Sequence, residues 1–275
     1  FWHAQQKGWK PPRKKGGGGG DSSGAVLAGI LDGVELWHDP RKVAYATVSI
    51  TKAGGSSHRE NMKVTGSEFS GWLTREAYLA TGAPPKREKL REVVALAEAR
   101  GIQEGAQHET WVRSSAVVDG KLYLDLGDED WRAVEIDAEG WRVIFDPPVR
   151  FRRSGGALAL PVPVKGDTKA GIALLGDLIK TERPEHMMLL TGALVSYFRA
   201  GVSYVAINFD ARPGSAKTSG LRVVDALVDP QVAATPGPPP NERELIISAQ
   251  NQMLVRFDNV SRISEQMSDA YCRLL

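Results

Sequence analysis

The spacing of apolar residues in the first hundred positions predicts one strand followed by two helices. The β-branched and aromatic run VAYATVSI at 43–50 is typical of a strand. A helix is expected after Ser67, which is a suitable N-cap. The run KREKLREVVALAEAR predicts a second helix, which we expect to end at Gly101. Its apolar face carries Leu90, Val93, Val94 and Ala97.

From Trp111 the apolar residues alternate with polar ones, which predicts a small β-rich stretch that ends near 147–148. Asp119-Gly120 and Glu139-Gly140 are suitable hairpin turns between the alternating runs. The following connector is basic and rich in proline and glycine. Its patch, Arg150 to Arg153 with Phe151 in the middle, either contacts single-stranded nucleic acid or is an ordinary strand edge.

The remaining residues are predicted to mix helices and strands. Residues 169–200 have helical spacing, and Pro184 divides them into two segments. The elements that follow are expected in the order strand, helix, short helix, strand, at 203–209, 217–228, 242–250 and 253–257. The sequence therefore predicts an α/β fold.

Composition narrows the class of protein only slightly. An apolar fraction of 42%, a charged fraction of 25% and a net charge of +2 are ordinary for a soluble globular protein. A single cysteine, Cys272, cannot form a disulfide framework and favours a reducing, cytoplasmic location. No apolar run is long enough to span a bilayer, so no membrane partner is expected. The histidines show no zinc-ligand spacing.

Residues 1–24 are basic and rich in glycine and proline, and they predict a disordered arm. Such an arm could also contact phosphates. Because the chain starts at Phe1 and ends in SDAYCRLL with no polar tail, we expect it to be a fragment.

The segment ARPGSAKTSG at 211–220 follows a predicted strand and runs into a predicted helix, as a phosphate-binding loop does. Such loops follow G-x-x-x-x-G-K-[ST], so that backbone N–H groups and the helix dipole bind phosphate oxygens. Lys217 would contact the β/γ-phosphates, and the Thr218 hydroxyl would bind Mg²⁺. The predicted nucleotide-binding residues are Ala211, Arg212, Pro213, Gly214, Ser215, Ala216, Lys217, Thr218 and Ser219.

Alanine stands at both glycine positions of this pattern, Ala211 and Ala216. Alanine in the left-handed region costs roughly 1 kcal/mol or more, so both residues are expected to be right-handed or extended. The pattern alone leaves an ordinary strand-to-helix turn as the alternative.

A second candidate segment is MLVRFDN, in which Asp258 would end a Walker B strand and hold Mg²⁺ together with Thr218. Asn259 stands where many ATPases place the carboxylate that activates water, although an amide cannot act as a general base. Arg256 is unexpected in a buried strand. The candidate catalytic residues are thus Lys217, Asp258 and Asn259.

Four stretches together resemble bacterial, phage and mobile-element ATP-binding proteins related to superfamily 3 and primase-associated helicases. They are GSAKTS, LVDP, the run from NERELIISAQ to the last residue, and the β-rich stretch from LYLDLG to ALALPVP. The resemblance extends over about 35–275 and implies a P-loop ATPase core of the AAA+ type. In that family alanine before the lysine and asparagine after the FD pair are usual, whereas glycine is typical at the position of Ala211.

The resemblance also implies an organisation and an activity. An arm (1–24) and an α+β module (25–160) would precede the first part of the ATPase domain (165–275). Family members continue into sensor and arginine-finger segments, so the core is expected to be incomplete at the C-terminus. ATP hydrolysis with Mg²⁺ would remodel or unwind DNA in phage or mobile-element replication, in a homo-oligomeric ring. The alternative is a non-hydrolysing, nucleotide-dependent DNA-binding or assembly protein, favoured by Ala211 and Asn259.

Overall fold

The computed structural model describes residues 22–52, 54–212, 214–232, 237–260 and 262–274, and these form a mixed α/β structure. Pro213 of the loop and residues 1–21 of the predicted arm lie outside the described residues. The chain divides into two compact units, one up to Thr110 and one from Trp111. The sequence places the module boundary between 160 and 165, whereas the structure groups the β-rich stretch with the loop.

Among the described residues of the first unit, from 22 onward, three helices pack against a four-stranded sheet. In chain order its elements are α1 Ser22–Leu31, β1 Glu35–His38, β2 Ala44–Thr51, β3 Ser57–Lys63, α2 Ser67–Thr81, α3 Arg87–Gln103 and β4 Ala106–Gln107. The strand order is β3-β2-β1-β4, with β1 and β4 parallel and the other pairs antiparallel. Ala44, Ala46 and Val48 alternate along β2 and join the core formed with the helices.

The predicted strand and both predicted helices of this unit are confirmed, but three predicted boundaries are wrong. Gly66, not Ser67, precedes the first helical residue of α2. Helix α3 runs through Gly101 to Gln103, because the missing side chain lets the helix approach β2: a Cβ there would lie 3.2 Å from that of Ala44. Residues 22–24 of the predicted arm belong to α1.

The second unit begins with the β-rich block. Its strands are β5 Thr110–Trp111, β6 Leu122–Asp125, β7 Ala133–Asp137, β8 Gly140–Ile144 and β9 Arg150–Phe151. Both hairpin turns are found, the second with a shift. Val118 pairs with Lys121, and Asp119 and Gly120 between them have φ of 50° and 75°, as a two-residue primed turn requires. Asp137 pairs with Gly140, so the second turn consists of Ala138 and Glu139, and its predicted position at Glu139-Gly140 is wrong by one residue. Strands β6, β7 and β8 form an antiparallel sheet.

The basic patch that follows these hairpins serves as a strand edge rather than as a free surface. Phe151 in β9 is buried. Arg153 binds the Asp125 carboxylate and lies 4.0 Å from the centre of the Trp131 ring. The nucleic-acid interpretation of this patch has no support from the placement of these two side chains.

In the described part of the second unit the β-rich block is followed by the helices α4 Thr168–Leu178, α5 Pro184–Tyr197, α6 Lys217–Val228, α7 Glu242–Asn251 and α8 Glu265–Leu274. The side chain of Asp167 caps α4 and that of Asn241 caps α7, as each accepts a hydrogen bond from a backbone N–H of the first turn. Helices α5 and α6 share a core that contains Leu190, Leu194, Val224 and Val228. These helices confirm the predicted helical segments.

The predicted strands at 203–209 and 253–257 are wrong: among the described residues of 165–274 the structure contains helices and no strand. Their apolar side chains are nonetheless buried in part. Ile207 and Phe209 pack against the core of α5 and α6, as do Met253 and Leu254. These two apolar, β-branched runs are thus buried against helices and do not pair with a neighbouring strand among the described residues. In the part of the chain that the structure describes, no helix is long and apolar enough to cross a membrane.

Candidate functional site

The loop before α6 is a tight turn that leads directly into the helix. Gly214 has a φ of 80°, and the Ser215 hydroxyl donates to the carbonyl oxygen of Arg212 at 2.6 Å. Ala216 has φ 60° and ψ 26°, so the expectation that it avoids the left-handed region is wrong. The reason is local: its carbonyl accepts the first helical hydrogen bond, from Gly220 N at 3.0 Å, while the chain turns sharply into α6.

Lys217, the first residue of α6, folds its side chain back over this loop. Its ammonium nitrogen Nζ donates to the carbonyl oxygens of Ala211 at 2.6 Å and Arg212 at 3.1 Å. The lysine thus ties the start of the loop to the start of the helix. Gly214, Ser215 and Ala216 are exposed, and the Ser215 N–H donates to the carbonyl oxygen of Arg212 at 3.3 Å, so a ligand would have to compete with this bond.

Thr218 and Asp258 meet at the first turn of α6, although 40 residues separate them in the chain. The Thr218 hydroxyl Oγ1 donates to Asp258 Oδ2 at 2.8 Å. The other carboxylate oxygen, Oδ1, accepts from the backbone N–H of Asn259 at 2.9 Å. Both side chains are half-buried. A hydroxyl and a carboxylate side by side offer the oxygen ligands that Mg²⁺ prefers.

Asn259 follows directly in the chain, is exposed and has a φ of 56°. Asparagine is one of the residues that tolerate this left-handed conformation. Its amide can orient a water molecule by hydrogen bonding but has no site that accepts a proton at neutral pH. Ser219, the last predicted loop residue, is an exposed residue of the first turn of α6.

Two acids further along, the half-buried Asp225 in α6 and the buried Asp229 directly after it, hold the segment that ends in Asp258. The carboxylate oxygen Oδ1 of Asp225 lies 2.9 Å from Arg256 Nε, as an ion pair whose N–H direction is not aligned for a hydrogen bond. Burial raises the pKa of Asp225, the Arg256 charge opposes this rise, and Asp229 adds to it. Arg256, unexpected in the sequence, therefore has a buried partner.

Asp229, at the end of α6, makes the most buried ion pair of the site. Arg113 Nε donates to its Oδ1 at 3.0 Å, and both side chains are almost fully buried. Its Oδ2 accepts from the backbone N–H of Met253 at 2.8 Å. The same guanidinium donates from Nη2 to the carbonyl oxygen of Leu158 at 2.8 Å. Arg113 thus joins the β-rich block to α6 and to the segment before Asp258.

Sequence reasoning missed Arg113, Asp225 and Asp229. A signal for the two acids exists: Asp225 lies in the predicted helix and Asp229 directly follows its last residue, four positions further on, and each directly follows an apolar residue of the buried face. Acids so close to a buried face need cationic partners. Nothing local identifies Arg113 or Arg256 as those partners.

The structure thus brings together Thr218 and Asp258 and places Lys217 on the adjoining loop, with Asn259 beside them in the chain. Across the described ranges, no group of three or more histidine, cysteine, aspartate or glutamate side chains could hold a metal ion.

No protein-family model, curated protein or solved structure was found to match the chain. Evidence on function therefore comes from the geometry of the second unit and from the sequence motifs.

Proposed function

We propose that residues 211–219 and Asp258 bind the triphosphate of ATP together with Mg²⁺. The hydrogen bond of 2.8 Å between Thr218 Oγ1 and Asp258 Oδ2 carries this proposal. It joins the hydroxyl that ends the loop pattern to the acid of the Walker B-like segment. A strand-to-helix turn with no ligand would not need this distant acid beside its hydroxyl.

The residues present fit a magnesium-bound nucleotide. Magnesium is commonly held by one or two protein oxygens, with waters and substrate phosphates filling its other positions. Thr218 and Asp258 would be those protein ligands. The magnesium ion, when bound, would neutralise charge on the phosphate oxygens.

The phosphate groups would lie at the N-terminus of α6, where backbone N–H groups and the helix dipole favour anions. Lys217 Nζ now contacts two neutral carbonyl oxygens. These bonds are charge-assisted because the ammonium is ionised, and a phosphate oxygen, which is charged as well, would add the attraction between opposite charges. Nucleotide binding is therefore expected to draw the lysine away from the carbonyls of Ala211 and Arg212.

Asn259 favours binding over hydrolysis as the function of the described residues, because its amide cannot take a proton from water. The second candidate is ATP hydrolysis coupled to DNA remodelling or unwinding by a homo-oligomer. The resemblance to primase-associated helicases supports it, and so does the Walker B-like position of Asp258.

The test of binding is a titration of the whole chain with a fluorescent ATP analogue at a fixed magnesium concentration. Lys217→Ala is expected to weaken binding about tenfold to a hundredfold, as the loss of a charge-assisted contact does. Lys169→Ala removes an exposed lysine from the first turn of another helix, α4, and should leave the affinity unchanged. Equal affinities for wild type and Lys217→Ala would overturn the proposal.

The two candidate functions are separated by steady-state ATP turnover, measured with and without DNA. Tight binding without turnover supports a nucleotide-binding or assembly role. Turnover that DNA stimulates and Lys217→Ala abolishes supports the helicase-like role.

A further inference from the structure

The segment that delivers Asp258 runs antiparallel along one face of α6. Its contacts come in reverse order: Thr218 meets Asp258, Asp225 meets Arg256, and Asp229 accepts from the Met253 N–H. A helix turns about 100° per residue, so spacings of seven and four place Thr218, Asp225 and Asp229 within about 40° of each other. The three contacts therefore form one stripe along the helix.

The segment from Met253 to Asp258 and the stretch from Thr218 to Asp229 that it contacts have similar lengths. The helix rises about 16 Å from Thr218 to Asp229 at ~1.5 Å per residue. The five steps from Met253 to Asp258 reach about 17 Å when the chain is extended. The backbone of this segment bends at Met253, Leu254 and Asp258, so the side chains of the contacting residues span the rest of the distance. A shift at Arg256 would pass directly to Asp258, two residues further on.

We propose that Asp225 and Arg256 are positioning residues that set the Asp258 carboxylate beside Thr218 for magnesium. This inference rests on the proposed nucleotide site and adds to it the part of the chain that aligns its acid. Neither residue is expected to touch nucleotide or metal. Their contact lies about two helical turns from the loop, since seven residues separate Asp225 from Thr218.

In a sheet, the backbone hydrogen bonds between strands would normally fix the position of a Walker B acid relative to the phosphate-binding loop. Among the described residues, 253–258 contain no strand, so side-chain contacts to α6 have to do this instead. Arg256 is almost fully buried and Asp225 largely so. A buried ion pair adds little net stability because both charges lose their hydration, but it fixes the relative position of its partners.

The experiment compares the magnesium concentration for half-maximal binding of the fluorescent ATP analogue in the whole chain. The double variant Asp225→Leu/Arg256→Met keeps the volume and leaves no unpaired buried charge, so it is expected to fold. We expect its magnesium midpoint to rise about tenfold, as when the partner of a metal ligand is lost. Affinity measured in EDTA should stay within about twofold of wild type, because Lys217 and the loop are unchanged.

Two further variants separate positioning from general damage. Arg256→Lys keeps a cation near Asp225 and should have a lower magnesium midpoint than the double variant. Asp125→Leu/Arg153→Met removes a buried ion pair of the β-rich block, in the same unit, and should leave the midpoint at the wild-type value. Thermal melting of each variant reports any loss of stability separately.

An unchanged midpoint in the Asp225→Leu/Arg256→Met variant would overturn the positioning role while leaving the nucleotide site in place. An equal rise in the Asp125→Leu/Arg153→Met variant would overturn it as well, because the effect would then be general. If Arg256→Lys behaves like the double variant, pairing of charge is not what aligns the acid. A wild-type chain that does not bind the nucleotide analogue overturns the proposed function itself, and the positioning role with it.

Discussion

Replacing Ala216 by glycine should stabilise the second unit, although glycine normally weakens the start of a helix. Ala216 has a φ of 60°, where an alanine costs about 1–2 kcal/mol. Glycine carries no such cost but loses about 0.4–1 kcal/mol more chain entropy on folding. The difference predicts a gain of about 0.5–1 kcal/mol in the free energy of unfolding. For a unit of this size that corresponds to roughly 1–4 °C in Tm.

The assay is calorimetric unfolding of the whole chain, in which the transition of the second unit is identified by its shift in Asp229→Ala. Gly214→Ala is the matched control in the same loop. Gly214 has a φ of 80°, and an added Cβ would meet nothing within 4 Å, so backbone strain and chain entropy change but side-chain contacts do not. That variant should lose about 1 kcal/mol. The two neighbouring substitutions are therefore expected to shift Tm in opposite directions.

A drop in Tm for Ala216→Gly would refute the reasoning. Glycine in place of alanine within a right-handed helix costs about 1 kcal/mol, so a loss of that size would mean that Ala216 is helical in solution. A gain would also show that the natural alanine is retained at a cost in stability, which is common for strained residues at functional sites.

Three further predictions concern other parts of the structure. Asp229→Ala leaves the Arg113 guanidinium buried without its partner and should lower the free energy of unfolding by about 3–5 kcal/mol in urea; a loss below ~1 kcal/mol would contradict this. Gly105→Ala would place a Cβ within 2.8 Å of neighbouring backbone atoms and should lower the free energy of unfolding by about 1–3 kcal/mol. Gly71→Ala, in open space within α2, is the control and should raise it by up to ~1 kcal/mol. An unchanged stability of Gly105→Ala would contradict the close approach. Burial and a hydrogen bond to a carboxylate raise the pKa of Tyr123 to about 12. The stability that its neutral hydroxyl gives is complete below pH ~10, the pKa of an unfolded tyrosine, and is lost as the pH rises through the folded value. The loss of stability caused by Tyr123→Phe should therefore shrink across that pH range. A difference in stability between wild type and Tyr123→Phe that stays constant with pH would refute this.

The helices of this protein are predictable because their signals are local. Helical spacing and the break at Pro184 lie within the segments concerned, whereas the ends predicted from Ser67 and Gly101 are wrong. The hairpin turn at Asp119-Gly120 is predictable for the same reason, since its two residues tolerate positive φ.

The strands at 203–209 and 253–257 are mispredicted because a strand needs a neighbour, and the residues of one run do not show whether a neighbour exists. Apolar β-branched residues are equally suited to packing on helices, as Ile207 does here. The end of α3 is missed for a related reason. Gly101 signals a stop in the sequence, yet its lack of a side chain is used for contact with Ala44 of β2.

Part of the candidate site follows from its motif, and part does not. The loop pattern leads to Lys217 and Thr218, and the apolar run before it leads to Asp258. The contacts of Arg113 and Arg256 depend on pairs more than 20 residues apart in the chain. Pairs of this kind are set by the packing of the whole unit, which a single sequence does not show.

The ion pair between Arg113 and Asp229 determines where the chain can be cut for expression. A fragment that begins at 165, where the motifs place the start of an ATPase domain, would discard the arginine and keep the aspartate. In that fragment the last turn of α6 would carry an acid without its cationic partner in an apolar setting, and the fragment would be prone to aggregate. A fragment that begins at 111 retains both charges, and it is the fragment that we would purify first.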